Sequence, residues 1–66
     1  MKINRKNLSL AMIRANIDSS KALAEVSGIS ENTISRINNG SQATLRTIKK
    51  LSSALGIEPE EILEAL

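Results

Sequence analysis

The stretch "GISENTISRINNG", residues 28–40, decides the fold of this chain. It has the length of a short helix, with Ser30 as a candidate N-cap, Glu31 in the first turn and Gly40 just past the end. Apart from three isoleucines, its side chains are small or polar, whereas stable helix surfaces are rich in Ala, Glu and Lys. The polar surface of this helix therefore needs a reason other than helix stability.

The residues before this stretch predict another helix, over about residues 20–27, capped by Asp18 or Ser19. Its apolar side chains, Leu23 and Val26, are expected to face the core. Only two or three residues separate the two helices, and so short a connection makes them cross at a steep angle, as in a helix-turn-helix.

Three positions meet the requirements of a helix-turn-helix. Ala24 is small where the helices approach, Gly28 suits the positive φ of the turn, and Ile34 packs the later helix onto the earlier one. The other apolar contacts of the unit are expected from Leu23, Ile29 and Ile37.

Three more helical segments are predicted, which makes five in all. The first, at about residues 4–16, is expected to bury Leu8, Ala11, Met12 and Ala15. The fourth, between a cap at Thr44 and a stop at Gly56, is expected to bury Ile48, Leu51 and Leu55. The last begins at Pro59 and is expected to bury Ile62, Leu63 and Leu66. With no strand pattern, residues 1–66 are predicted to be a single all-α domain, a compact five-helix bundle.

A second apolar stripe on the first helix consists of Leu10, Ile13 and Ile17. We expect this stripe and the last helix to pack against each other. The alternative for both is a dimer surface.

The composition argues against catalysis and metal binding. The chain has no Cys and no His, so the commonest general base, the thiol nucleophile and the usual zinc ligands are missing. No cofactor site and no small-molecule site are evident. No apolar run approaches the ~18 residues of a membrane span, and the first residues lack the apolar core of a signal peptide. We therefore expect a cytoplasmic protein that is not an enzyme.

Charge is distributed unevenly along the chain. Residues 1–50 hold all nine Lys and Arg and three acidic residues, a net charge of +6, whereas residues 51–66 hold four Glu and no base, a net charge of −4. A basic body with an acidic end fits a protein that faces a polyanion. The alternative is ordinary solvated helix surface.

The side of the third helix opposite Ile34 and Ile37 carries residue types that read base edges. Asn pairs with adenine through two hydrogen bonds, Arg does so with guanine, and Ser and Thr serve either base. Glu31 has an alternative role as a partner of the helix dipole. The candidate base-reading residues are Glu31, Asn32, Thr33, Ser35 and Arg36.

Polar and basic residues around this helix are candidates for contacts to DNA phosphates. Most have a structural alternative: Ser30 is a helix cap, Asn39 is a helix-end residue, and the cations of the fourth helix form a solvated face. The candidates are Ser20, Ser30, Asn39, Arg46, Lys49 and Lys50.

The segments "LAEVSGISENTISRINNG" and "TLRTIKKLSSALGIEPEEIL" resemble the helix-turn-helix domain of the Cro and phage-repressor type, also called Xre-like, over about residues 20–63. The resemblance implies a five-helix, lambda-repressor-like domain whose third helix enters the major groove of DNA. It implies base-reading roles for Glu31, Asn32, Thr33 and Arg36. It also implies phosphate contacts at Ser20, Asn39 and Arg46.

Three departures from the family pattern bear on these roles. Ser20 replaces a longer polar residue, often Gln, and Asn38 stands where many members have Glu. One extra residue lies between Ile17 and Leu23, so no contact of the first helix is carried over.

The sequence therefore predicts a sequence-specific, double-stranded-DNA-binding regulator of transcription, a repressor of bacterial or phage type at the nucleoid. A domain this small is expected to bind a two-half-site operator as a homodimer. The alternative is a protein-interaction module, such as an antitoxin or an adaptor that keeps the fold.

Overall fold

A computed structural model of the chain describes residues 1–64. It contains four α-helices, α1 (Arg5–Arg14), α2 (Ser20–Ser27), α3 (Glu31–Asn38) and α4 (Leu45–Leu55), followed by a 3₁₀ turn at Pro59–Glu61. The all-α class is confirmed, whereas the prediction of five helices is wrong.

The fifth predicted helix is a single 3₁₀ turn because the chain pairs with its N-terminal segment directly afterwards. The Ile62 N–H donates to the Pro59 carbonyl at 3.2 Å, only three residues back. The Asn4 N–H then donates to the Ile62 carbonyl at 2.7 Å, and the Glu64 N–H donates to the Lys2 carbonyl at 2.9 Å. These bonds keep the chain extended where a longer helix would have continued.

Polar side chains begin all four α-helices. Each N-cap oxygen accepts a hydrogen bond from the backbone N–H three residues later, which satisfies one of the free donors at the helix start. The caps are Asn4, Ser19, Ser30 and Thr44. The predicted caps of α3 and α4 are confirmed, and Ser19 rather than Asp18 caps α2.

The core lies between the helices and is built from aliphatic side chains. Its most enclosed members are Leu8, Leu23, Ile34, Ile48, Leu51 and Ile62. All six were predicted from helical periodicity to be buried. Leu66, predicted on the last helix, lies outside the described residues.

One predicted core contact of α2 is wrong, because Val26 is 57% exposed. The buried or half-buried stripe of α2 runs through Ser20, Leu23, Ala24 and Ser27, at spacings of three and four residues. Val26 lies at the edge of this stripe, so small side chains fill the inner positions instead.

The second α1 stripe is not buried against the C-terminal segment as predicted. Leu10 is 47% exposed and Ile13 is 72% exposed. Only Ile17, beyond the end of α1, packs against the core. α1 buries Leu8 and Ala11, and its other apolar side faces outward.

Candidate nucleic-acid interface

The connection between α2 and α3 is a three-residue turn, residues 28–30. Gly28 has a φ of +74°, and its N–H donates to the Ala24 carbonyl at 3.0 Å, which ends α2. The Ile29 N–H donates to Ser27 Oγ at 3.3 Å, and the Ile29 side chain is buried. Two hydrogen bonds and one buried side chain thus fix the direction in which α3 leaves the turn.

Replacing Gly28 by alanine is expected to lower the free energy of unfolding by about 1–2 kcal/mol, since a Cβ makes left-handed backbone costly. The loss comes from backbone strain alone, because a Cβ at this position meets no atom within 4 Å. Gly28→Asn is the matched control and should lose less, because Asn tolerates this conformation better. Urea denaturation followed by circular dichroism measures both, and equal losses would contradict the assigned role of the turn.

α3 is attached to the body of the protein by two isoleucines. Ile34 is 1% exposed and Ile37 is 3% exposed, and α2, whose Leu23 is fully buried, packs against both α3 and α4. The buried side of α3 therefore lies on α2 and the core. The opposite side faces outward.

The outward side of α3 and its C-cap, Asn39, carry four exposed polar residues close together around the helix axis. At 100° per residue, Asn32, Ser35, Arg36 and Asn39 lie within one third of the circumference, opposite the two isoleucines. Among the side-chain hydrogen bonds within residues 1–64, none uses the side chains of these four residues. Their hydrogen-bonding groups are therefore free to bind a ligand.

At the start of α3, the Ser30 and Thr33 side chains are hydrogen-bonded to each other. Ser30 Oγ accepts a hydrogen bond from the Thr33 N–H at 3.2 Å and donates one to Thr33 Oγ1 at 2.9 Å. Thr33 is half-buried, whereas Glu31 is exposed in the first turn. Ser30 is thus a helix cap, and the Thr33 hydroxyl keeps its own hydrogen to donate.

The end of α3 is joined to the start of α2 and to α1. Asn38 Nδ2 donates to Ser20 Oγ at 3.3 Å, and Arg5 Nη1 donates to the Asn38 carbonyl at 2.7 Å. The last carbonyls of a helix lack partners within the helix, and a guanidinium satisfies one of them here. Asn38 therefore connects three helices through its amide and its backbone.

The remaining candidates for contacts to DNA phosphates lie on α4. Arg46, Lys49 and Lys50 are all exposed, on the side opposite Ile48 and Leu51. The three cations therefore lie on one open face of the helix that follows α3.

A family model now identifies this arrangement. The model of the Cro/C1-type HTH DNA-binding domain matches residues 7–65. The chain belongs to this family. Searches among curated proteins and among solved structures found no significant match. As a Cro/C1-type domain, the chain has the DNA-binding module of a transcription regulator.

The Cro/C1-type unit brings most of the predicted base-reading residues to one surface. Asn32, Ser35 and Arg36 lie together and exposed, Glu31 lies beside them at the start of α3, and half-buried Thr33 flanks them. Ser20, the first residue of α2, lies beside the C-terminal end of α3, where its hydroxyl oxygen accepts a hydrogen bond from Asn38.

The sequence did not indicate that Arg5 lies near the candidate interface of this Cro/C1-type domain. Arg5 contacts a residue 33 positions later in the chain. The only available signal was a basic residue in the first turn of α1, which by itself specifies no partner.

The helices and the acidic side chains of the Cro/C1-type domain were compared with the requirements of a membrane span and of a metal site. No helix within residues 1–64 combines the length and the apolar character needed to cross a bilayer. Over the same residues, no three acidic side chains come together as a potential metal site.

Proposed function

We propose that this Cro/C1-type domain represses transcription by binding a specific operator in double-stranded DNA, with α3 in the major groove. The observation that carries the proposal is the exposed face of α3, where Asn32, Ser35 and Arg36 have no hydrogen-bonding partner within residues 1–64. Small side chains let a helix lie deep in the major groove, which is about 12 Å wide.

The base-reading residues differ in the bases they suit. Arg36 pairs with guanine and Asn32 with adenine, each through two hydrogen bonds. Ser35 and Thr33 bond either base through a hydroxyl, and the Thr33 methyl suits thymine. Glu31 accepts a hydrogen bond from cytosine, besides its favourable position near the helix dipole.

Most of the affinity comes from contacts to phosphates. The residues that supply them are Ser20, Ser30, Asn39, Arg46, Lys49 and Lys50. Neutralising ~4–6 phosphates makes log K fall with log salt at a slope of roughly −4 to −5. Ser30 makes its contact only after its hydroxyl turns away from Thr33, so its part in this set is the smallest.

The domain, residues 1–66, acts as a homodimer on two half-sites in the bacterial cytoplasm, at the nucleoid. Half-sites one helical turn apart have centres about 34–36 Å apart. Each copy has one α3, so a single copy reads one half-site. Two copies, each with its own α3, fit this spacing.

Selection of binding sites from random-sequence DNA tests the proposal. The expected product is a short inverted repeat whose half-site centres lie about one helical turn apart. Recovery of unselected sequence, with no enrichment over the input, would contradict sequence-specific binding.

Replacing Arg46 by alanine is expected to weaken binding to all DNA sequences alike and to reduce the salt slope by about 1, because Arg46 contacts a phosphate. Fluorescence anisotropy on the selected operator and on random duplex DNA measures both effects. A loss confined to the operator would show instead that Arg46 reads a base.

A protein-interaction module, such as an antitoxin or an adaptor, is the second candidate. The exposed apolar side chains of Leu10 and Ile13 favour it, because exposed apolar side chains grouped on one helix face often mark protein contacts. The two candidates differ in one outcome: an adaptor that keeps the fold shows no affinity for DNA at low salt.

A further inference from the structure

The first turn of α1 places two cations beside the end of α3. We propose that Arg5 and Lys6 each bind a backbone phosphate of the DNA, which makes the first turn of α1 a fourth DNA-contacting element besides α2, α3 and α4. The inference rests on the proposed function. The matched family range begins at residue 7, so neither cation belongs to it.

The two cations line an open cleft of about 550 Å³ between α1, the start of α2 and the end of α3. Its polar lining also includes Ser9, Asp18, Ser20 and Asn38. The cleft therefore begins at Ser20, the residue of α2 already proposed to contact a phosphate, and continues onto α1.

Arg5 is oriented by the contact that joins it to α3. One of its guanidinium N–H groups donates to the Asn38 carbonyl at 2.7 Å. A guanidinium has five N–H donors in a planar fork, which leaves four for a phosphate and suits bidentate binding. Because the fork is held against α3, a phosphate bound there lies at a fixed position relative to the base-reading face.

Ser20 extends the same site. Its Oγ accepts the hydrogen bond from Asn38 Nδ2 at 3.3 Å, so its own hydroxyl hydrogen remains available to a phosphate. The Asn38 side chain and backbone thus hold two phosphate-binding groups, the Ser20 hydroxyl and the Arg5 guanidinium, on neighbouring sides of one residue.

The charges of the side chains that line the cleft determine whether each of them favours or opposes DNA binding. Arg5 and Lys6 are exposed cations, and Asp18 is the one anion in the cleft lining, which leaves a net charge of +1. Within residues 1–64 no side-chain hydrogen bond uses Lys6. Lys6 therefore contributes to DNA binding without a structural role, whereas Asp18 opposes binding.

Arg14 provides the matched control, because it is an exposed cation at the other end of the same helix. It is eight residues from Lys6, which places it about 12 Å further along the helix axis. It lines a separate cleft together with Ile57 and Glu61. Removing its charge changes the net charge of the protein as much as removing that of Lys6.

The experiment compares Lys6→Gln with Arg14→Gln by fluorescence anisotropy on a random-sequence duplex between 50 and 200 mM salt. Lys6→Gln is expected to reduce the magnitude of the salt slope by about 0.9, the contribution of one phosphate contact, while Arg14→Gln leaves it unchanged. Asp18→Asn is expected to tighten binding at low salt. Arg5→Gln is expected to act as Lys6→Gln does, with thermal melting as a check that the domain remains folded.

The outcomes separate this inference from the proposed function. If the unaltered protein binds DNA but Lys6→Gln and Arg14→Gln give the same slope, the α1 contact is wrong and the proposed function stands. If the unaltered, folded protein does not bind DNA at low salt, both are wrong.

Discussion

Replacing Arg36 by alanine is expected to remove discrimination at one base pair of the operator half-site and to lower the affinity by about 1–3 kcal/mol, or roughly 5–150-fold, per half-site. The reason is its position: Arg36 lies on the exposed side of α3, opposite the buried isoleucines. Binding to random DNA should fall much less, because only one charge is lost. Anisotropy titrations with the selected operator and with base-pair variants of it measure the change.

Arg14→Ala is the control for this substitution, since Arg14 is another exposed arginine and lies near the end of α1. It should leave base preference unchanged. Asn32→Ala should relax preference at a different base pair. If Arg36→Ala weakens the operator and random DNA by the same factor, Arg36 contacts a phosphate and its base-reading role is wrong.

Replacing Ile34 by alanine is expected to lower the free energy of unfolding by about 2–5 kcal/mol, the cost of truncating an enclosed aliphatic side chain. Ile34 is 1% exposed and belongs to the core cluster that holds α3 to the body. A domain of 66 residues buries only about 60% of the surface of its unfolded chain, so its stability lies towards the low end of roughly 5–15 kcal/mol. Such a loss therefore leaves a large unfolded population, and DNA binding should fall with it.

Ile13→Ala makes the same chemical change at a side chain that is 72% exposed. It should alter stability by no more than about 0.5 kcal/mol. Urea denaturation curves of the two variants give the comparison. Similar midpoints for the two would contradict the packing of α3 through Ile34.

The helix ends were predictable because their signals are local. A capping side chain and the N–H that it bonds lie three residues apart, and the stop at Gly56 needs only one residue with positive φ. The caps Ser30 and Thr44 were therefore readable from the sequence. The helix-turn-helix follows from the same kind of signal, since one short connection joins two capped segments.

The C-terminal segment was predicted wrongly because its structure depends on a distant partner. Pro59 and the glutamates after it favour a helix start, and the chain does form one 3₁₀ turn there. The bridge between Ile3 and Leu63 then competes with further helix, and nothing near either residue indicates that pairing.

The exposure of Leu10 and Ile13 shows a second limit of prediction from the sequence. α1 has apolar residues on two sides, and periodicity alone does not tell which side the rest of the protein covers. The four-residue spacing from Leu8 to Met12 proved to be the inner side. The predicted inward position of Val26 is wrong as well, because Ala24 and Ser27 fill the inner positions of α2.

The residues of the candidate interface also differ in whether the sequence alone could identify them. Asn32, Ser35 and Arg36 could be grouped from the sequence, because residues on one helix keep a fixed angular relation. Arg5 could not be added, because its contact with Asn38 depends on how α1 packs beside α3.

The central claim is that the domain binds DNA, and salt-dependent anisotropy on a random-sequence duplex tests it most directly. We expect saturable binding at low salt, with log K falling against log salt at a slope of roughly −4 to −5, while circular dichroism reports a folded, helical protein. A folded protein with no measurable binding at low salt would contradict the account.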